Sequence, residues 1–188
     1  MGEPKALVDD WLVRSVRSLA DGGCDAVTVV LGAEADRAGE LLAGAEFDGT
    51  VEAVVASGWA QGMGASLRAG LEAIAHTGAD AAVVSLVDLP DVGPAVVRRL
   101  LAGGADRATL RRAAYDGAPG HPVLIGHDHW AGVAASAVGD RGARDYLAER
   151  EVEAVECADL ATGRDVDRPV PRSQESGSDP TIDQRGDG

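Results

Sequence analysis

A carboxylate stands at the end of a nearly unbroken apolar run. Residues 81–87 read AAVVSLV, and Asp88 follows them directly, ahead of Leu89 and Pro90. A run without alternation is typical of a strand buried on both faces of a parallel sheet, and proline cannot continue the strand ladder. We therefore predict a central strand that ends near Asp88, at the edge where open α/β sheets bind ligands. Asp88 is a candidate Mg²⁺ ligand in a nucleotide site, with a turn-forming Asp as the alternative.

Two further carboxylates and one lysine could join such a site. Asp165 and Asp167 lie far along the chain from Asp88, but distant carboxylates can converge on one Mg²⁺, which takes one or two of them and leaves its other positions to water and phosphate. The alternative is a solvated surface turn. Lys5 follows Pro4 and could neutralise phosphate charge as a point cation, or could be an ordinary exposed lysine near a terminus.

A histidine and a glycine-rich loop complete the candidates. His121 stands between Gly120 and Pro122, which hold it rigidly, for either a functional or a packing role. Residues 57–66 read SGWAQGMGAS and lead into a helix. Such a loop could bind an anion on free N–H groups or form a tight turn. The sequence contains no G-x-S-x-G elbow and no G-x-G-x-x-G after a strand, so neither a serine hydrolase nor a standard dinucleotide site is supported.

The elements that position these residues alternate between strand and helix. This order predicts a mainly parallel, doubly wound α/β sheet with right-handed crossovers. An antiparallel hairpin is expected around the turn at residues 116–120. Strands are predicted at residues 26–31, 50–55, 81–88, 109–115, 121–125 and 152–157, and helices at 9–20, 33–42, from 67 onward, 94–101, 129–136 and 141–149.

Composition limits the classes of function. A chain of 188 residues suits one domain, and residues 170–188, which have almost no apolar side chains, are expected to form a disordered tail. The net charge of −14 argues against nucleic acid or an anionic membrane as the main partner. No signal peptide or membrane-spanning run is recognisable, and a cytoplasmic protein is expected.

Six short blocks, taken in order, resemble the MobA-like nucleotidyltransferases, and most closely those that act as molybdenum cofactor cytidylyltransferases. They are MGEPKAL (1–7), WAQGMGASL (59–67), VDLP (87–90), GHPVL (120–124), GDRGAR (139–144) and DVDRP (165–169). The resemblance covers residues 1–169. It implies a Rossmann-like, three-layer α/β/α domain of the nucleotide-diphospho-sugar transferase type.

The resemblance also implies a chemistry, in which CMP passes from CTP to a molybdopterin-type phosphate and pyrophosphate is released. Asp88 and Asp167 would hold Mg²⁺, and Lys5 would offset charge on the leaving pyrophosphate. The recipient of the product would be a molybdenum hydroxylase or its maturation chaperone. By the same likeness, the nucleotide would contact Lys5, Ser57, Gly62, Gly64 and Ser66, and the acceptor would contact His121, Asp140 and Arg144.

The sequence departs from the family pattern at its start. Members begin with a buried strand and a Gly-rich segment of the form L-A-A-G-x-S-x-R-M-G-x-P-K, whereas this sequence begins at the Met of that motif. We expect two strand edges to lack a neighbour, and we expect either a longer natural chain or a decayed or repurposed copy.

Two alternative functions follow. The block GHDHWAGV (126–133) resembles the nicotine blue oxidoreductase-like subgroup, which implies an NAD(P)H-dependent oxidoreductase. An inactive binding or scaffold relative is the second alternative, because the phosphate loop is missing.

Overall fold

The computed structural model describes residues 4–166. A short 3₁₀ helix, Lys5–Leu7, opens this part of the chain. The elements that follow are α1 (Trp11–Ala20), β1 (Ala26–Leu31), α2 (Ala35–Ala43), β2 (Thr50–Val55), a 3₁₀ helix (Trp59–Gln61), α3 (Met63–Ile74), β3 (Ala81–Val84), α4 (Pro94–Leu101), β4 (Leu110–Tyr115), β5 (Ala118–Gly126), α5 (His127–Ser136), a 3₁₀ helix (Gly139–Arg141), α6 (Arg144–Ala148) and β6 (Glu153–Glu156).

The strands form the middle layer of a three-layer α/β domain, as predicted. β1 and β2 pair in parallel, and a second, mixed sheet has the order β3-β5-β4-β6. The predicted hairpin is present as β4 and β5, joined at Asp116 and Gly117, which both have positive φ as a tight hairpin turn requires. β5 lies between β3 and β4 and runs antiparallel to both. The hairpin therefore occupies the interior of this sheet.

Helices cover both faces of the strands. α1 and α2 pack on β1 through a cluster that includes Leu12, Val16, Val27 and Leu31, and α4 packs on β4 beside them through Val96. The opposite face carries α3, α5 and α6. Their apolar side chains meet the strands in the largest cluster, which contains Leu71, Leu110, Val123, Ile125, Trp130, Val133 and Leu147.

Within the described residues, β1 pairs only with β2, and β3 pairs only with β5. Each of these strands therefore keeps one edge without a neighbour, as the departure from the family pattern led us to expect. β3 consists of Ala81, Ala82, Val83 and Val84, and all four are only partly buried although all are apolar. A strand paired on one side only is expected to be less buried than a central one.

The predicted end of the central strand is wrong. β3 ends at Val84, four residues before Asp88. Its partner β5 pairs Val123 with Val84, and the residue preceding Val123 is Pro122, which has no N–H to donate. The ladder therefore ends there, and residues 85–88 continue as a loop that carries Asp88 beyond the sheet edge.

Several predictions fall on residues 167–188, which lie outside the described part of the chain. They are the proposed metal ligand Asp167, the domain boundary at residue 169 and the tail at 170–188. In residues 4–166, none of the helices has the length and apolar character needed to cross a membrane.

Candidate functional site

Lys5 and Asp88 meet although 83 residues separate them in sequence. The Lys5 Nζ lies 2.6 Å from the Asp88 Oδ2. The Asp88 side chain is only 12% exposed, whereas that of Lys5 is 40% exposed. The 3₁₀ helix that carries Lys5 is anchored by Ala6 and Leu7, which pack against the cluster beneath α1. Two predicted site residues are thus brought together at the carboxyl edge of β3.

The end of the described chain reaches the same loop. The backbone N–H of Val166 donates to the carbonyl oxygen of Asp88 at 3.0 Å. Asp165 is exposed, in agreement with the solvated-turn alternative. The role of Asp167, which follows Val166 in sequence, stays a prediction.

His121 lies on β5 beside this loop. Burial lowers the pKa of its imidazole, and the charge of Arg112 lowers it further, whereas the Asp88 carboxylate acts in the opposite direction. The ring is therefore kept neutral at neutral pH. The Tyr115 hydroxyl donates to the carbonyl oxygen of His121 at 2.7 Å and fixes the backbone at this point.

Arg112 is a member of this group that the sequence interpretation missed. Its Nη2 donates to the carbonyl oxygen of Gly120 at 3.3 Å. Its Nε is buried and has no hydrogen-bond partner among residues 4–166. Burial lowers the pKa of Arg112, and the nearby guanidinium of Arg144 lowers it further. An arginine within a largely apolar strand was the available signal, but its spacing alone could not tell which face of the sheet it occupies.

The two loops predicted to shape the nucleotide and acceptor pockets pack against each other. Gly62 has φ of +107°, and a Cβ placed there would lie 2.6 Å from the carbonyl carbon of Gly139. A Cβ on Gly64 would lie 2.7 Å from the carbonyl oxygen of Ala137. Both glycines are therefore needed for close packing of α3 on the segment before α6, and their nucleotide contacts stay a prediction.

Asp140 acts on the start of α3. Its Oδ1 accepts a hydrogen bond from the N–H of Met63 at 3.3 Å. A carboxylate at this position satisfies a free N–H and complements the positive end of the helix dipole. The structure thus gives Asp140 a helix-capping contact, and its contact with an acceptor stays a prediction.

A cavity of about 390 Å³ lies between β2 and α3. Ser57 lines it together with Gly58 and Gln61, and Arg68 and Glu72 supply charged groups on its helical side. Ser66 lies on α3 but is not part of this lining. The structure therefore places Ser57 at a cavity and Ser66 outside it.

Within residues 4–166, no three His, Cys, Asp or Glu side chains come together as a ready-made metal cluster. The carboxyl edge instead combines one shielded carboxylate, Asp88, with three basic side chains, those of Lys5, Arg112 and Arg144. In a chain of net charge −14, such a local excess of basic groups is suited to an anionic ligand.

Comparison with known proteins identifies relatives of this chain. The family model described as "MobA-like NTP transferase domain" matches residues 1–155. A nicotine blue oxidoreductase from Paenarthrobacter nicotinovorans is 34% identical over 172 residues, which cover 87% of this chain and 79% of that protein.

Solved structures give the same picture. The crystal structure of Rv0371c from Mycobacterium tuberculosis H37Rv superposes with a TM-score of 0.66 at 28% identity, covering 83% of this chain and 80% of that one. Rv0371c has also been solved in complex with manganese, with a TM-score of 0.62 at 27% identity, covering 81% of this chain and 80% of that one. A nucleotidyl transferase from Methanothermobacter thermautotroptrophicus superposes with a TM-score of 0.64 at 25% identity, covering 78% and 69%.

Proposed function

This chain belongs to the MobA-like NTP transferase family, and we propose that it moves CMP from CTP to the phosphate of a molybdopterin-type acceptor. An acceptor phosphate oxygen attacks the α-phosphorus of CTP, the bond from that phosphorus to the bridging oxygen breaks, and pyrophosphate leaves with the bond electrons. The contact between Lys5 and Asp88 at the carboxyl edge of β3 carries this proposal, because it joins a phosphate-neutralising cation to a shielded carboxylate. A molybdenum hydroxylase or its maturation chaperone is the expected recipient of the product.

The donor set at Asp88 suits a divalent cation, and Mg²⁺ is the ion we propose. Asp88 Oδ2 contacts Lys5, whereas Oδ1 has no hydrogen bond to any residue in the range 4–166. One free carboxylate oxygen is enough, because Mg²⁺ binds through one or two carboxylates together with substrate phosphates and water. Asp167 is the proposed second carboxylate. The related Rv0371c structure with manganese supports a divalent ion in this family.

Catalysis in this proposal comes from alignment and charge. The bound cation would neutralise the phosphate oxygens of the donor. Lys5 is exposed enough to turn from Asp88 toward the leaving pyrophosphate, where its ammonium group would stabilise the negative charge that develops there. The neutral His121 could donate or accept one hydrogen bond to a substrate without adding charge. The protein needs no covalent intermediate for such a transfer.

The proposal is tested by comparing the binding of Mg·CTP, Mg·GTP and NADPH to the wild type by calorimetry. Mg·CTP should bind best, and Asp88→Asn should weaken its binding at least tenfold, equivalent to about 1.4 kcal/mol. Asp91→Asn is the matched control, since Asp91 is exposed and accepts its hydrogen bonds from Thr162 at 2.6 Å through an oxygen that Asn retains. If Asp88→Asn and Asp91→Asn bind Mg·CTP equally well, Asp88 is not a metal ligand.

An NAD(P)H-dependent oxidoreductase is the second candidate, and the identity of 34% to a nicotine blue oxidoreductase favours it. The block at residues 126–133, however, lies at the opposite end of β3 from Asp88, where the N–H of His127 donates to the backbone carbonyl oxygen of Asp80 at 2.8 Å. Trp130 and Val133 of this block belong to the core, and the exposed Asp128 pairs with Arg107 at 3.1 Å. His129 contacts the Tyr146 hydroxyl at 3.0 Å, and the Trp130 Nε1 donates to the carbonyl oxygen of Ile125 at 2.9 Å.

The same titrations separate this candidate from the first. NADPH binding that does not depend on a metal ion, together with no binding of Mg·CTP, would favour the oxidoreductase. A folded protein that binds none of the three ligands would favour the inactive scaffold.

A further inference from the structure

Two consecutive arginines on β4 face opposite sides of the sheet and differ in how they are paired. Arg111 donates to Glu153 at 2.7 Å and to three carbonyl oxygens at the end of α4. It therefore lies on the α4 side and has partners for its guanidinium. Arg112 pairs across the ladder with Val123, which belongs to the cluster beneath α3, α5 and α6. Since successive strand residues point to opposite faces, Arg112 lies on that second side.

The guanidinium of Arg112 is poorly satisfied. Its one hydrogen bond within residues 4–166 is the 3.3 Å contact from Nη2 to the carbonyl oxygen of Gly120. Its Nε is sealed from solvent without an acceptor. No carboxylate in the described part of the chain forms an ion pair with it, although the protein has 31 acidic residues and 17 basic ones.

The charges around Arg112 increase this imbalance. The charge of Arg144, an exposed residue at the start of α6, also lowers the pKa of Arg112, and no ion pair within residues 4–166 offsets the Arg144 charge. His121 also feels the charge of Arg112 and stays neutral. A partly buried cation without a counter-ion is costly, and a bound anion would remove that cost.

The chemistry of the side chains defines the anion. Guanidinium groups match the oxygens of phosphate and carboxylate through two parallel hydrogen bonds. Arg112 can present its terminal Nη groups in that geometry, since within residues 4–166 only Nη2 has an acceptor, and Arg144 carries a second planar guanidinium on α6. Asp88, beyond His121, supplies an acidic group at the border of this positive region.

We propose that Arg112 and Arg144, beside His121, bind a phosphate group of a substrate through their guanidinium groups. The inference rests on the proposed transferase, whose donor and acceptor both carry phosphate. It adds Arg112 to the site and makes this residue the principal anchor. The phosphate belongs either to the nucleotide donor or to a phosphomonoester acceptor, and one set of titrations distinguishes the two sources.

Binding of Mg·CTP and of phenyl phosphate, a simple phosphomonoester, is measured by calorimetry on the full chain. Arg112→Met should weaken the binding of one of the two probes by about 10- to 100-fold, the usual effect of losing hydrogen bonds to a charged group. Loss confined to phenyl phosphate assigns the acceptor, and loss confined to Mg·CTP assigns the donor. The matched control is Arg37→Gln, which removes one surface charge from α2 and should leave both affinities unchanged.

A second measurement excludes a purely structural role. Without ligand, Arg112→Met should unfold at a temperature no lower than the wild type, because it removes an uncompensated cation. If Arg112→Met does not fold, Arg112→Lys keeps a charge at this position but lacks the planar fork, and it should still bind the same probe at least tenfold more weakly than the wild type.

The inference is overturned if both probes bind the variant as tightly as the wild type, or if the wild type binds neither probe. A large fall in melting temperature without ligand, with both affinities unchanged, would likewise make Arg112 a structural residue. Failure of the proposed transferase is a separate result, namely no release of pyrophosphate by a wild type whose anion binding still depends on Arg112.

Discussion

Arg111→Met should destabilise the protein strongly, because this one guanidinium joins three parts of the fold. From β4 it donates to Glu153 of β6 at 2.7 Å and to the carbonyl oxygens of Leu100, Ala102 and Gly104 at 2.8, 3.2 and 3.2 Å. Its side chain is only 11% exposed. The substitution therefore removes the hydrogen bonds that join the end of α4 to the sheet, and it leaves Glu153, the neighbour of Arg111 on β6, without its ion pair.

The size of the effect follows from the surroundings of each acceptor. A hydrogen bond to a charged group contributes about 1.5–3 kcal/mol when its loss leaves a buried partner, and Leu100 is such a partner because it is fully buried. Ala102, Gly104 and Glu153 are exposed, so water replaces the lost donor there and each contributes at most about 1 kcal/mol. A total of about 1.5–6 kcal/mol corresponds to a fall of about 3–24 °C in Tm for a chain of this size.

The assay is thermal unfolding followed by circular dichroism, with Arg112→Met measured beside Arg111→Met. The two variants carry the same substitution at adjacent positions of one strand, so differences in helix or strand propensity do not separate them. We expect a clear fall for Arg111→Met and none for Arg112→Met. Equal melting temperatures for the two variants, whether both high or both low, would refute the division of roles between them.

Two further results follow from the packing and charges of the site. Gly64→Ala should lower the free energy of unfolding, measured in urea, by about 1–3 kcal/mol, the range for overpacking, because its Cβ would lie 2.7 Å from the carbonyl oxygen of Ala137. The control is Gly39→Ala on α2, where a Cβ would have no atom within 4 Å and should not destabilise the protein. Equal effects of the two substitutions would contradict the close packing at Gly64. The His121 resonances should titrate below the ordinary pKa of 6.5, and Asp88→Asn should lower this pKa further. Because folding lowers the pKa of His121, the unfolded state binds more protons than the folded state below pH 6.5. The contribution of His121 to stability is therefore lost as the pH falls from 6.5 toward the pKa of the folded state. A pKa above 6.5 in the folded protein would refute the argument.

Much of the fold could be predicted because local pattern and tertiary environment agree. The strands Ala26–Leu31 and Thr50–Val55 have the predicted bounds, since both are rich in β-branched residues and are followed by loop residues. The central strand was predicted too long, because its end depends on where the partner strand meets Pro122. The position of β5 inside the sheet is likewise a property of pairing between distant segments, which periodicity does not encode.

The site was predicted less completely, for a related reason. Asp88 was recognisable from its place after an apolar run, and Lys5 was a candidate cation whose role beside Asp88 was indicated by the resemblance to a family. Arg112 was missed because a strand pattern broken by two adjacent arginines does not say which of them faces the site. The packing roles of Gly62 and Gly64 depend on the segment around Gly139, more than 70 residues away, and no local pattern could have revealed them.

The most direct test of the central claim is the transfer of labelled CMP from CTP to a molybdopterin-type acceptor in the presence of Mg²⁺. The account predicts transfer with release of pyrophosphate by the wild type, no detectable transfer by Asp88→Asn, and transfer at the wild-type rate by Asp91→Asn. Transfer by Asp88→Asn at the wild-type rate would contradict the account, because the shielded carboxylate paired with Lys5 would then have no part in the reaction.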